Sequence, residues 1–456
     1  MSKWLTVICI LAVAVVLCAP AFAEVQNVKV SGDMTVRALY RGDYADSTAA
    51  TQQFLMESVG LNVDADLTDN VSTSVRLVNQ RDLIGIATTA TSNVYTVDVD
   101  TAYVTLKEMV YAPLTLTIGR QDLWFGRGLI IGALLPTPDA TQSLKGDYNA
   151  SITAKEYTET TAFDALKATI DLAPWKLDLL YSKISNAAVA VHDDVDLYGA
   201  NLGYKFDVYN GEAEAYYFGK FSAAKITSVA GENTVNTYGL RGSLEPITNL
   251  TIGAEGAWQA GKFSDNNASG RSREAYAVDA FGKYKFANVM MKPTLGVEWL
   301  MLSGDPDSND STGTNKYKGW DAMYSGKFDT AIRSFQNYLY NTTARETVAT
   351  ATWNQDSGMS NQNSLLVKGS IKPLEDVTLE GTYAHFWMNK KLNQANLGTF
   401  NSSKDIGDEL DLLLTYDYTE DVSFGLLAGW FFPGDMFPAT MNETASDIVG
   451  TMKVVF

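Results

Sequence analysis

Cysteine is almost missing from this chain. Only Cys9 and Cys18 occur in 456 residues. Both lie in an N-terminal stretch with the pattern of a secretory signal. Lys3 supplies a positive start, residues 5–17 are apolar but too short to span a bilayer comfortably, and Ala21, Phe22 and Ala23 form a small-x-small cleavage site. The expected cut precedes Glu24, and Leu17 before Cys18 argues against a lipoprotein site. The chain expected after the cut, residues 24–456, has no thiol. That excludes a disulfide scaffold, a thiol nucleophile and a cysteine metal site. Histidine is nearly as scarce, at His192 and His385. No apolar run approaching about 18 residues follows the leader, so no transmembrane helix is expected. Positive charge is also short: 35 Lys and Arg stand against 53 Asp and Glu, a net charge of −18 that becomes −19 once Lys3 is removed. Such a chain is a poor partner for nucleic acid or for an anionic lipid surface.

What the chain does have is repetition. Segments of alternating apolar and polar residues recur near 28–41, 53–66, 71–82, 94–107, 113–124, 161–172, 175–185, 195–207, 210–221, 234–245, 249–260, 273–286, 292–303, 363–373, 376–388, 405–419, 421–432 and 445–456. Alternation with period two is the mark of a strand with one wet and one greasy face. The connections alternate as well. Those after even-numbered segments are tight, at 67–70, 173–174, 246–248, 373–375 and 420, while the others are longer and rich in Gly, Ser, Asn and Asp. Short turns on one side and long loops on the other, with an even strand count, predict a transmembrane antiparallel β-barrel of about 18 strands. Its termini would be periplasmic and its location the outer membrane of a Gram-negative-type bacterium. A soluble β-sandwich would explain neither the alternating connections nor the last strand, where Ile448, Gly450, Met452, Val454 and Phe456 share one face. Terminal Phe456 after such a strand is the expected insertion signal, read by barrel-insertion machinery. One domain is expected, since a barrel cannot close in pieces.

Parity assigns the faces. Met34, Val36, Ala38 and Tyr40 would meet lipid, leaving Thr35, Arg37 and Arg41 for the lumen. Charges in mid-strand cost about 2–4 kcal/mol on a lipid face, and inward placement removes that cost. The expected channel-lining set includes Arg37, Arg76, Lys205, Arg241, Lys283, Lys285 and Lys368, with Glu255, Glu298, Glu409 and Asp411. Tyr40, Tyr181, Tyr204, Trp258, Trp299, Tyr418 and Trp430 are placed for the aromatic girdles.

Two stretches resemble the alginate export family of outer-membrane porins. Residues 117–132, TIGRQDLWFGRGLIIG, are similar to a family segment built on Gly-Arg-Gln and then Gly-x-Gly. Residues 406–434 are similar to its late hairpin, with a Glu-x-Asp strand and an aromatic end; Leu302, Ser303, Gly304 and Asp305 also fit. The resemblance implies an eighteen-stranded barrel, places Arg120 and Arg127 at the channel, and suggests export of an anionic polysaccharide such as alginate. Parity disagrees over Arg120, which follows Leu114, Leu116 and Ile118 outward unless the strand bulges or ends near Gly119. Two features depart from a dedicated exporter. The assigned lumen face is mixed, with acids slightly ahead of bases, where a polyuronate path should be basic. The turn at 419–421 has no room for a long periplasmic plug loop.

Other features have modest readings. The loop 125–160 is long enough to fold inward and bring Asp139, Lys145 and Asp147 to a constriction. In the loop 304–362, Phe328, Ile332, Phe335 and Leu339 recur at helical spacing and predict a short amphipathic lid or rim helix. Asp305, Asp307, Asn309 and Asp310 resemble the start of a calcium loop, but Asp310 occupies the glycine position and Lys316 the final glutamate position, which excludes an EF-hand. A hydrolase would need His192 beside Asp193 and Asp194, or His385 with Ser364, and neither has a surrounding motif. The expected role is passive passage of hydrophilic solute, with polysaccharide export or a general small-solute pore as variants and a hydrolase or adhesin as alternatives. No enzyme chemistry, cofactor or metal is expected. The partners are outer-membrane lipid and a hydrophilic or anionic oligo- or polysaccharide solute.

Overall fold

The structure is a computed structural model. It describes residues 27–43, 51–84, 96–109, 111–134, 152–185, 195–222, 225–226, 229–230, 233–263, 271–306, 316–335, 360–391, 400–440 and 442–456. The expected signal peptide, Asp139, Lys145, Asp147, His192, Asp307, Asn309, Asp310 and Leu339 lie outside these residues.

Eighteen strands form one antiparallel sheet closed on itself. They are β1 (Asn27–Gly42), β2 (Gln52–Thr68), β3 (Val71–Ile84), β4 (Asp98–Lys107), β5 (Leu114–Gln121) and β6 (Phe163–Leu172). Next come β7 (Trp175–Ser185), β8 (Val195–Phe206), β9 (Gly211–Ser222), β10 (Asn233–Ile247), β11 (Leu250–Phe263) and β12 (Arg271–Lys285). The last six are β13 (Thr294–Leu302), β14 (Gln362–Leu374), β15 (Val377–Met388), β16 (Asp405–Asp417), β17 (Val422–Pro433) and β18 (Ala445–Val455). Each strand pairs with its sequence neighbour, and β1 pairs with β18 from Asp33↔Val455 to Gly42↔Ser446. Closure leaves no open edge, as a sheet in hydrocarbon requires. Phe456 extends this seam: its N–H donates to the Gly32 carbonyl at 2.9 Å and its carbonyl accepts the Gly32 N–H at 2.8 Å. All eighteen expected segments are strands, with ends shifted by a few residues.

The alternation sorts the side chains as parity predicts. Tyr40 is 42 % exposed on the outer wall, while neighbouring Arg41 is 1 % exposed inside. The short turns include 69–70, 173–174, 248–249 and 375–376; 122–162 and 303–361 are the longest connections on the other side.

Those two loops enter the barrel. Leu123, Leu129, Ile130, Ile131 and Leu134 from the first, with Trp320, Ala322, Met323 and Tyr324 from the second, pack on inward Phe163, Leu197, Phe218, Val235 and Leu300. A smaller cluster seats Ile332 among Leu366, Phe386 and Phe431, and another seats Ile152 and Ala154 on Leu39, Met56 and Val449. The loops' backbones touch: Gly132 N–H donates to the Tyr324 carbonyl at 2.8 Å and Gly326 N–H to the Gly128 carbonyl at 2.9 Å. A Cβ on Gly132 would lie 2.8 Å from Gly326 Cα, so glycine is required at this crossing. Gly126 and Gly128 have φ of +55° and +77°, which explains the Gly-x-Gly in structural terms. Of the expected lid helix, the described residues hold one helical turn, Arg333–Phe335.

Candidate lumen constriction

Inside the barrel the two loops meet the wall at a network of charges, a candidate constriction. Arg127 sits on the first loop. Its Nε donates to Asp279 Oδ2 at 3.2 Å, and its guanidinium lies 2.7 Å from Glu298 Oε2 and 3.8 Å above the Phe281 ring. Asp279 and Glu298 are inward residues of β12 and β13 that run beside each other. Lys327, on the second loop, contacts Glu298 and approaches Asp329 at 2.9 Å and Asp279 at 3.5 Å. Lys368 of β14 closes the network with Asp329 at 2.6 Å and Glu298 at 3.4 Å. Burial alone would push the Lys327 ammonium down, but Asp329, Glu298 and Asp279 outweigh it and raise its pKa above the ordinary value. Burial likewise opposes charge on Asp329, yet Lys327 and Lys368 hold its carboxyl down to about 2. Three cations and three carboxylates thus form one compensated cluster. Unpaired, any of them would be costly to bury.

A second seat uses carboxylates against backbone. Glu409 accepts the N–H groups of Ile332 at 2.6 Å and Arg333 at 2.9 Å, and Asp411 accepts that of Ala331 at 3.1 Å. The far limb of the first loop is held by Glu156 on Arg41, with Arg41 Nε 3.3 Å from Asp447. Glu159 lies 3.8 Å from Arg37 and 3.6 Å from Arg76. Arg76 is also 2.9 Å from Asp33 and 3.4 Å from Asp100. Asp321 meets Lys220 and accepts the Met323 N–H.

The expected lining residues fall into three groups. Arg37, Arg76, Arg127, Lys368, Glu298, Glu409 and Asp411 hold the loops or one another. Arg241 pairs with Glu212 at 2.5 Å and Glu214 at 2.7 Å, and Glu255 accepts the Tyr216 hydroxyl at 2.6 Å. Lys205, Lys283 and Lys285 stand on inward positions toward the short-turn end. Arg120 is a correction. Its ladder keeps register through Gly119, so it shares the outward parity of Ile118. It lies 3.7 Å from outward Asp164, on the outer wall and away from the bore.

The other candidates also resolve. His385 is outward, with Nδ1 3.0 Å from Asp408, whereas Ser364 is 3 % exposed on the inner face, so no Ser-His pair forms. Asp305 lies 3.6 Å from Arg271 and accepts the Lys318 N–H at 3.1 Å. Among the described residues, no three His, Cys, Asp or Glu side chains gather as metal ligands. Sequence reasoning missed Lys327, Asp329, Glu156, Glu159 and Asp321. All lie in long connections without strand parity. The available signal was the loops' excess of large apolar residues, such as Trp320 and Tyr324, which need cover.

Cavities lie inside the wall, one of them lined in part by this network. That one, of about 620 Å³, lies along β12–β17; another, of about 410 Å³, lies along β2–β6 and is lined by Arg76, Lys167 and Gln121.

Residues 29–451 match the family described as alginate export. A comparison with curated proteins finds no match. Among solved structures, Acinetobacter baumannii OccAB1 is similar at a TM-score of 0.56 and 12 % identity, covering 96 % of this chain and 98 % of that one. Pseudomonas aeruginosa OccK2 (OpdF), solved in complex with glucuronate, is similar at 0.53 and 12 %, covering 95 % and 99 %. OpdK from the same organism, solved with vanillate, is similar at 0.53 and 11 %, covering 94 % and 98 %. At these identities the likeness carries the fold alone, a closed antiparallel β-barrel.

Proposed function

We propose that this chain, which belongs to the alginate export family, is an outer-membrane channel passing small hydrophilic solutes by diffusion. The observation that carries this reading is the compensated constriction. Arg127, Lys327 and Lys368 are matched by Asp279, Glu298 and Asp329, so the narrowing offers an anionic polymer no surplus of cations. The apolar clusters beneath the described parts of the loops occupy lumen that a wide polymer conduit would leave to water. The glucuronate and vanillate seen with OccK2 and OpdK are small solutes, in keeping with such a bore.

Export of an anionic polysaccharide is the second reading, favoured by family membership. The reversal potential of the refolded protein in a planar bilayer under a salt gradient, with and without polyuronate, separates the two. Weak selectivity without polymer block is the expected result. Anion selectivity with block by the polymer would favour export. Absence of conductance would sink the open-channel reading.

A further inference from the structure

The 620 Å³ cavity between the plug and the short-turn end has walls of two kinds. Its size lies within the range of about 300–1,000 Å³ usual for small-ligand sites. One wall is apolar. Phe328 and Phe335 are stacked with centroids 4.6 Å apart and planes 11° apart. Leu413 and Leu427 lie opposite each other on β16 and β17 and face the same space. With inward Phe281, these leucines give apolar surface to a space otherwise lined by charges and hydroxyls, which suits a solute that also has an apolar face. The barrel wall supplies hydroxyls from Thr294, Ser370 and Thr382.

The charges lining the cavity are mostly committed. Arg127, Lys368, Glu298 and Asp329 belong to the constriction network, and Asp411 accepts the Ala331 N–H. That leaves Lys283 and Glu380, one of each sign, with no hydrogen-bond or ion-pair partner among the described residues. An anion would meet Glu380 and Asp411 with a single uncommitted cation to offset them. From this juxtaposition, and resting on the channel reading above, we propose that the cavity is a transit subsite for an uncharged mono- or disaccharide. One face of a sugar ring presents C–H groups that stack on aromatic rings. Its rim hydroxyls both donate and accept, which suits hydroxyls, one ammonium and one carboxylate together.

The test is single-channel current through the refolded full-length protein, with graded maltose and, separately, graded glucuronate at constant salt. Maltose should lower the current saturably, and glucuronate should do so less at equal concentration. Phe328→Ala should weaken the apparent maltose affinity about fivefold. Ser370→Val, a milder change, should weaken it in the same direction and serves if the first variant does not insert. Conductance with no saturable maltose effect would overturn the subsite and leave the channel intact. Stronger action by glucuronate would overturn the uncharged class. Unchanged maltose affinity in both variants would place the block elsewhere and overturn the assignment. No conductance in the parent protein would overturn the channel reading itself.

Discussion

At the scale of the residue, the loop carboxylate Asp329 is the most informative group. It lies between Lys327 and Lys368, and its carboxyl is held down to about 2 from an ordinary 3.8. The sign follows from linkage. A depressed acid stabilises the seated loop fully above 3.8, and that contribution disappears as pH falls through about 2. Conductance should therefore change as pH is lowered from about 4 to about 2 while the seat loosens. Asp329→Asn should remove this part of the acid response and already show the loosened state at neutral pH. An identical acid titration in parent and variant would show that Asp329 does not hold the loop. Arg120 teaches the complementary point. Its motif pointed to the channel, but strand parity turned it outward to Asp164, and parity prevailed because the ladder has no bulge at Gly119.

Within one strand, neighbours with the same chemistry should respond in opposite ways. Leu412 and Leu413 are consecutive in β16. Leu412 is 47 % exposed on the outer wall, whereas Leu413 lines the inner cavity. Leu412→Arg should cost about 2–4 kcal/mol in urea unfolding from lipid vesicles, since a mid-strand charge then faces hydrocarbon. Leu413→Arg should cost less than about 1 kcal/mol because its head reaches water. Equal costs would mean that the parity assignment of β16 is wrong. This pattern was readable beforehand because period two is a property of the backbone and needs no knowledge of neighbours. The predicted lid helix was readable only in part. Ile332 is buried and Phe328 and Phe335 are partly buried, and the helical turn begins at Arg333, where Glu409 and Asp411 accept the N–H groups of residues 331–333 that the first turn of a helix leaves unpaired.

For the whole molecule, closure is the decisive property. The seam between β1 and β18 pairs Ala38 with Gly450. Residues 24–456 contain no cysteine, so Ala38→Cys with Gly450→Cys would introduce a single thiol pair there. Oxidation should cross-link this pair within one chain, and the oxidised form should resist heat unfolding in detergent gels more than the reduced form. Cross-links forming only between chains would contradict closure through this seam. The interior is the other whole-molecule feature. Described parts of the two long loops pack inside the barrel, with aromatic and aliphatic clusters where a wide pore would hold water.

The sequence alone determined the number of strands, the face of each, the side with short turns and the mixed charge of the inner wall. These follow from period-two alternation and connection length, which are local. It also marked Glu298, Lys368, Glu409 and Asp411 as inward. Only the tertiary structure decided what those charges do. Lys327, Asp329, Glu156 and Glu159 come from connections without strand periodicity, and they meet wall residues far away in the chain. Whether a lumen cation faces a passing solute or a loop carboxylate depends on where a long connection settles. That is fixed by apolar burial and charge compensation inside the closed barrel, neither of which exists until the barrel has formed.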